Sequence, residues 1–582
     1  METDLRASPR DVSVQRQLPR EDGGQSGGPS RPRVVVPALL SAALLYACFF
    51  PLAWGFLAWI AVVPLLTLVR SQASPRRVYL AAWLAGSAFF WPVLQWMRLA
   101  DVRMYATWAA LAIYCSLYFL VAVVLLRRLD RLSPLPLVLT LPSVWVGLEY
   151  VRSWLLTGFA WYFLGHSQHN YLPLIQVADL GGVYAVSALV AAVNAVVFEG
   201  LVRIDAIRTL LGLPAEAVRG TPRTALGQAV VVAALVGGSA GYGVWRMRQA
   251  EFTSGPRLAL IQGNLEQRVR NAAVQDRDVA GEVLKHYQAL ADEAAAQRPL
   301  PDLVVWPETS YPGEWLGVSP ELPRDRWPEE WHRHVDISRW IAREIGLGWK
   351  TNVLLGVNSR ILESDGREYR YNSALLVRSD GHAGERYDKI HRVPFGEYVP
   401  LREQLPWMNA FSPYDFDYSI RVGQSLTRFP LGPWTFGVII CYEDSDAHLT
   451  RQYVDPATGS PPVDFLVNIS NDGWFNGSSE HEEHLAICRF RAVECRRAIA
   501  RAVNMGISAV IDGNGAVVAL PGATWAESKK VAAVLTATVP IDRRSSVYAW
   551  AGDWLPIGAW GVTILGLVVS VFPRRDGADS CR

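Results

Sequence analysis

Charge is scarce in this chain. Only 19% of its 582 residues are Asp, Glu, Lys or Arg, and the net charge is +2. No run of five or more like charges occurs, so nothing points to nucleic acid or another polyanion as a partner. Cysteine is sparse too, with six in all and no spacing that reads as a disulfide framework. Cys48 and Cys115 lie inside apolar runs, where small buried hydrophobes are expected, and Cys581 is in the C-terminal tail. Cys488 and Cys495 share a helical stretch, roughly 10 Å apart along its axis, which is too far for a disulfide without unwinding. That leaves Cys441 as the odd one. A small-residue cleavage site is also missing after the first apolar stretch, so 34–50 reads as a retained helix and not as a signal peptide.

What is abundant is apolar. Hydrophobic residues make up 51% of the chain and include 23 Trp, which is unusual for a soluble protein of this length and points to a membrane. Their distribution divides the chain: a polar tail rich in Arg, Ser, Gly and Pro at 1–33, expected to be disordered; long apolar blocks at 34–248; a soluble α/β pattern at 252–553; one more apolar block at 555–572; and a short tail at 573–582. Asking for about 20 apolar residues per span places eight, at 34–50, 52–69, 78–97, 105–126, 134–151, 172–202, 226–245 and 555–572. Alternate loops carry the arginines, from Arg31 and Arg33 through Arg70, Arg76 and Arg77, Arg127, Arg128 and Arg131, then Arg203, Arg208, Arg219 and Arg223, to Arg574 and Arg575. The positive-inside rule puts those loops in the cytoplasm and the α/β domain on the opposite, periplasmic or equivalent, face.

Within 252–553, short Val- and Ile-rich runs at 257–262, 303–306, 353–357, 374–378, 436–441, 465–469 and 509–512 read as strands, and 279–297 and 485–502 as helices. A layered α/β sandwich is expected. Three polar residues emerge just after such strands: Glu308 after Leu-Val-Val-Trp-Pro, Lys389 in Arg-Tyr-Asp-Lys-Ile-His, and Cys441 at the end of Phe-Gly-Val-Ile-Ile. Taken singly, Glu308 reads as a helix cap, Lys389 as a surface cation and Cys441 as core filler. Together at strand ends, where α/β sheets expose chemistry, they have a joint reading. A thiol with a reference pKa of about 8.5 needs a base and a cation to act as a nucleophile. Glu308 supplies the base, Lys389 with a backbone N–H near Tyr442 stabilises the oxyanion, and Glu397 orients the lysine.

The order of these residues and the motifs around them resemble the carbon-nitrogen hydrolase, or nitrilase, superfamily. The motifs are Trp306-Pro-Glu308, Val393-Pro-Phe-Gly-Glu397, Cys441-Tyr442-Glu443, Asn468-Ile-Ser-Asn-Asp-Gly-Trp474, and the helix bearing His484, Arg489, Arg491 and Glu494. Within that superfamily, the stretch from Glu149 through Arg152 to Trp161 is similar to a loop of the membrane-bound N-acyltransferases. The resemblance implies an αββα sandwich beside a polytopic helical membrane domain, a Glu308, Lys389, Cys441 triad supported by Glu397, Tyr442 and Glu443, and no metal or organic cofactor. It also implies a phospholipid acyl donor, typically phosphatidylethanolamine, and a diacylated apolipoprotein acceptor. Trp474, Trp306 and Arg497 are candidate substrate contacts. Asn476 departs from the family, which commonly has Gly there, as do Ala502 and Val503 before Asn504. The Trp- and Arg-rich insertion at 315–340 reads either as a lid bearing on the bilayer or as a solvated insertion. His481-Glu-Glu-His484 lacks the four-residue spacing of a zincin helix, so no metal is expected there. Two rival functions remain. One is a membrane-anchored amidase hydrolysing a small amide; the other is a transporter with an accessory domain, disfavoured because the spans carry few ionisable residues.

Overall fold

The computed structural model describes residues 34–400, 402–411 and 419–571. The tails at 1–33 and 573–582, with Cys581 and the end of the last expected span, lie outside the described residues.

The first part of the chain is helical, with principal helices Val35–Cys48, Val63–Arg70, Pro75–Val93, Met104–Leu132, Leu137–Trp154, Val183–Leu201 and Pro222–Arg248; Trp554–Val569 rejoins them from the far end of the sequence. Small residues let these helices approach closely, among them Ala38, Ala42, Ala82, Ala85, Ala112 and Cys115, all almost fully buried. By length and composition, Met104–Leu132, Val183–Leu201 and Ala215–Arg248 are long and apolar enough to cross a membrane, and shorter apolar helices accompany them. The expected span at 172–202 is not one helix. It breaks into Leu172–Ile175, Ala178–Gly181 and Val183–Leu201, with Gly182 at φ +69°. The cause is polar: Asp179 in the broken part accepts from Arg246 and Arg496, which ties it to the α/β domain.

That domain contains strands β1 (Thr253–Gln262), β2 (Leu303–Val305), β3 (Glu314–Val318), β4 (Asn352–Leu362), β5 (Glu368–Val377), β6 (Ala383–Asp388), β7 (Arg428–Leu431), β8 (Trp434–Ile440), β9 (Phe465–Ser470), β10 (Ala498–Val503), β11 (Ala509–Ile511), β12 (Val517–Ala519) and β13 (Ala533–Ile541). They form two mixed sheets. One has the order β13-β1-β2-β4-β5-β6 with β3 paired to β4, and the other β12-β11-β10-β9-β8-β7. Period-two alternation gives each sheet two apolar faces. Leu258, Leu303, Val305 and Leu354 of the first sheet meet Phe436, Val438, Val467 and Ala500 of the second. The opposite faces are covered by helices, Arg277–Ala296 and Glu329–Trp349 on one side and Glu480–Cys495 on the other. The result is an αββα sandwich. The helix expected at 485–502 ends early: Arg496 turns left-handed at φ +49°, and Ala498–Val503 becomes β10, running parallel to β9. The insertion at 315–340 folds as β3, a turn and the start of the helix Glu329–Trp349. Trp315 and Trp331 are buried and Trp340 is exposed.

Candidate active site

The three parallel strands β1, β2 and β4 of one sheet and β8, β9 and β10 of the other each end in the region where the polar residues gather. Glu308 follows β2 by a turn that packs directly on β4, and Gly356 makes this possible because a Cβ there would sit 2.0 Å from the Pro307 carbonyl oxygen. Lys389 follows β6. Its backbone N–H donates to Asn372 O at 2.9 Å and its carbonyl accepts from Gly423 N at 2.9 Å. The Lys389 ammonium is buried and donates to Glu397 Oε1 at 2.8 Å and to Glu308 Oε1 at 3.3 Å. Burial opposes its charge, but Glu308 and Glu397 overcome it and hold the lysine well above its usual pKa. Asn372 on β5 completes the set, its Nδ2 donating to Glu308 Oε1 at 2.7 Å and to Glu397 Oε1 at 3.1 Å. Sequence reasoning missed this residue, whose one signal is a polar Asn-Ser pair just before the apolar run Ala-Leu-Leu-Val.

Cys441 ends β8 in a left-handed conformation, φ +52°, which a residue with a Cβ rarely adopts and which the surroundings must enforce. The residue as a whole is partly exposed. Desolvation and then the charge of Glu308 push it well above the usual thiol range, with Lys389 pulling the other way, so the resting thiol is protonated beside its base.

Glu443, fully buried, holds the nucleophile turn to the lysine loop. Oε2 accepts from Ile440 N at 2.7 Å, and Oε1 accepts from Ile390 N at 2.7 Å and His391 N at 3.0 Å. Tyr387 Oη donates to both oxygens at 2.9 Å. Tyr442 points the other way. Its hydroxyl donates to Gly158 O at 2.9 Å and its ring lies 5.3 Å from Trp161, nearly parallel at 9°. Trp474, partly exposed, is on the short turn Asp472–Phe475 after β9. The next residue, Phe475, meets Trp96 of the helical region edge-on at 4.6 Å. Asn476 closes that turn at φ +45°, a conformation that asparagine tolerates nearly as well as the glycine of the family.

Two candidate substrate contacts are corrected. Trp306 continues the alternation of β2, so its ring turns to the helix-covered face, where it is fully buried 5.2 Å from Tyr287. Arg497 precedes β10, at the opposite end of the parallel strands from Cys441. Its donors go to the carbonyls of Val463 at 2.5 Å, Asp542 at 3.1 Å and Arg544 at 2.9 Å. Both build the domain and neither lines the site.

Behind the nucleophile lies a buried charge network. Arg501 of β10 donates to Asp444 at 2.8 Å and Asp472 at 2.9 Å, and His484 bridges the same two carboxylates at 2.8 and 3.1 Å. Burial opposes charge on His484, but the aspartates prevail and lift it to about 10. Burial and then Asp472 push the Glu480 carboxyl well above the usual carboxylate range. Asp472, Glu480 and His484 are grouped closely enough to hold a cation. The positive charge they would take from one is already supplied by Arg501 and the imidazolium.

The helix Glu480–Cys495 has every residue buried, because it is enclosed between the second sheet and the helical region. Its polar residues reach across: Glu483 accepts from Phe50 N at 2.7 Å, Arg489 donates to His169 at 3.1 Å, and Glu494 accepts from Val183 N at 2.8 Å.

Comparison with known proteins agrees with this two-part build. The family described as apolipoprotein N-acyltransferase N-terminal domain matches residues 41–196, and carbon-nitrogen hydrolase matches residues 257–549. The chain is 33% identical over 547 residues to the apolipoprotein N-acyltransferase of Geobacter metallireducens, covering 92% of this chain and 95% of the relative. It is 29% identical to that of Rhodopirellula baltica, covering 91% and 96%, and 30% identical to that of Gloeobacter violaceus, covering 90% and 91%. With a relative of that identity matched along nearly its whole length, and with both family domains present in order, this chain belongs to the apolipoprotein N-acyltransferase family, its second part a carbon-nitrogen hydrolase domain.

Proposed function

We propose that the chain spans a bacterial inner membrane and transfers an acyl group from a phospholipid, through a thioester on Cys441, to the N-terminal amine of a diacylglyceryl-Cys lipoprotein. The observation that carries the chemistry is the buried Lys389 ammonium held at 2.8 and 3.3 Å by two carboxylates beside a partly exposed cysteine. Glu308 takes the thiol proton as Sγ attacks the ester carbonyl, and the Lys389 ammonium stabilises the oxyanion. Collapse breaks the C–O bond, Glu308 returns the proton to the leaving alcohol, and a lysophospholipid departs. The incoming amine then attacks the thioester and Glu308 accepts its proton; the C–S bond breaks to release the amide, and Glu308 returns the proton to the Cys441 sulfur, restoring thiol and base. Phosphatidylethanolamine is the donor the family resemblance favours.

Membrane placement draws on the surface. Exposed aromatics cluster where the helices meet the α/β domain: Trp54 at 50%, Tyr105 at 49%, Trp154 at 55%, Trp245 at 55% and Trp554 at 48% exposure. Tryptophan and tyrosine concentrate at membrane–water boundaries, while Leu226, Val230, Val231 and Leu235 of Pro222–Arg248 point outward below them. These features support a site at the outer surface of the membrane, where both lipid-anchored substrates would present their reacting groups.

The test uses purified full-length protein in phosphatidylethanolamine vesicles. Intact mass is expected to show one acyl group on Cys441, sensitive to hydroxylamine and lost on adding a diacylated lipopeptide, which gains an amide. Rapid release to water with no trapped thioester and no amide product would overturn this reading in favour of an anchored amidase.

A further inference from the structure

Segment 155–163 links the helical region to the nucleophile turn, and it is held in an unfavourable shape. Leu156, Thr157 and Tyr162 all have positive φ, at +55°, +75° and +55°, in addition to Gly158. Non-glycine residues in that region are strained by about 1–3 kcal/mol each and persist only where the surroundings enforce them. At its outer side this segment touches both catalytic loops. Gly158 O accepts from Tyr442 Oη at 2.9 Å, Thr157 O accepts from His391 Nε2 at 2.9 Å, and Trp161 stacks on Tyr442. Tyr442 adjoins Cys441, and His391 lies two residues beyond Lys389.

What enforces the shape comes from Leu137–Trp154. Glu149 Oε1 accepts from Leu164 N at 2.7 Å and from Trp145 Nε1 at 3.1 Å. Arg152 accepts on its carbonyl from Phe159 N at 2.6 Å and donates through Nη2 to Tyr162 O at 3.4 Å. Its guanidinium lies between the rings of Phe90 and Phe163, at 5.3 and 5.1 Å. Both residues are 4% exposed, both line a cavity among the apolar helices with Phe49, Phe90 and Tyr118, and neither Glu149 Oε2 nor Arg152 Nη1 makes a hydrogen bond of good geometry among the described residues. Ionisable groups in apolar helices are destabilising unless they are fully satisfied, so their presence points to a task.

We propose that Glu149 and Arg152 are positioning residues for the reaction at Cys441, holding segment 155–163 so that it clamps Tyr442 and His391 and thereby sets the orientation of the Cys441 thiol and the Lys389 loop. The helical region thus shapes the active site as well as anchoring it. This rests on Cys441 being the nucleophile, and its readout does not need acyl transfer to occur.

The test measures alkylation of Cys441 by iodoacetamide in the vesicle-reconstituted full chain, from about pH 6 to 9.5, by peptide mass. Arg152→Ala is expected to lower the rate at neutral pH about tenfold and to displace the pH profile, while Arg152→Lys recovers most of the loss. Tyr442→Phe, which removes the hydroxyl that meets Gly158, is expected to cause a similar change, and the double variant to be no worse than either, because both act along one path. Wild-type alkylation in Arg152→Ala, or multiplying losses in the double variant, overturns the proposal. Should Arg152→Ala fail to insert, an unaltered profile in Tyr442→Phe and Trp161→Leu overturns it as well. If alkylation behaves as expected while no amide product forms with lipopeptide, the acyltransferase reading fails and this one stands.

Discussion

Around Lys389 two carboxylates share one ammonium and one amide, because Asn372 Nδ2 bonds the same Oε1 atoms of Glu308 and Glu397 that the lysine bonds. Asn372 therefore aims the base while Lys389 neutralises it. Asn372→Ala is expected to lower the rate of thioester formation by about ten- to a hundredfold through misplacement of Glu308. Glu308→Gln, Lys389→Ala and Cys441→Ala remove a partner that the others need, and each is expected to lower turnover by about 10³-fold or more. Any two together should be little worse than one, measured as lipopeptide acylation in vesicles. Near-normal turnover in one of the three would remove that residue from the mechanism. Glu308, Lys389 and Cys441 were legible as residues because each stands in a local motif at a strand end. Asn372 was not, since its role depends on β5 pairing with β4 and on the Lys389 amide closing back onto it.

At the scale of elements, the nucleophile turn and the lysine loop are joined by one side chain. Glu443→Ala would leave the buried N–H groups of Ile440, Ile390 and His391 without their acceptor. At about 1–3 kcal/mol for each unsatisfied group, the domain is expected to lose about 3 kcal/mol or more, seen as a fall in its thermal midpoint together with loss of Cys441 acylation. The lysine loop also meets segment 155–163 through His391, which lies between Asp446 Oδ2 at 2.7 Å and Thr157 O at 2.9 Å. Burial opposes charge on this imidazole, but the hydrogen bond to Asp446 and its charge hold the pKa above the usual value. A group with a raised folded pKa stabilises fully below its unfolded value of about 6.5, and that contribution is lost as pH rises through the folded value. Hydrogen exchange in segment 155–163 is therefore expected to speed up on the alkaline side, beyond the intrinsic pH dependence, and His391→Asn should abolish that extra rise. Equal behaviour of the two proteins would mean the contact is not titrating.

For the whole molecule, the arginine-bearing loops and the aromatic rim make one prediction about orientation. A reporter that is active only outside the cytoplasm, fused near Ser254, is expected to be active, and one fused after Arg575 to be silent. Reversed signals would overturn the proposed topology. The two parts of the chain do not merely abut. The wholly buried helix Glu480–Cys495 makes the α/β domain dependent on the helical region for its cover, with Glu483, Arg489 and Glu494 each bonded across the boundary. A truncated chain starting at β1 would expose that helix, including Ile487, Phe490 and Val493, and is expected to aggregate; a monomeric, cooperatively unfolding fragment would contradict this.

By itself, the sequence determined whatever is written locally: the apolar blocks, the short Val- and Ile-rich runs that became β1, β2, β4, β5, β8, β9 and β11, and the motifs around Glu308, Lys389 and Cys441. Tertiary structure decided what depends on partners distant in sequence. The stretch at 498–503 reads as the end of an alanine-rich helix, and only pairing with β9, with Arg501 meeting Asp444 and Asp472, makes it a strand. Trp306 and Arg497 carry side chains suited to a substrate, but the face or end of the sheet on which they fall turns them into core and clamp. The bonds of Glu149 and Arg152 to the segment after them are local, but that segment's contacts with Tyr442 and His391 join groups more than two hundred residues apart, and no local pattern encodes such a contact.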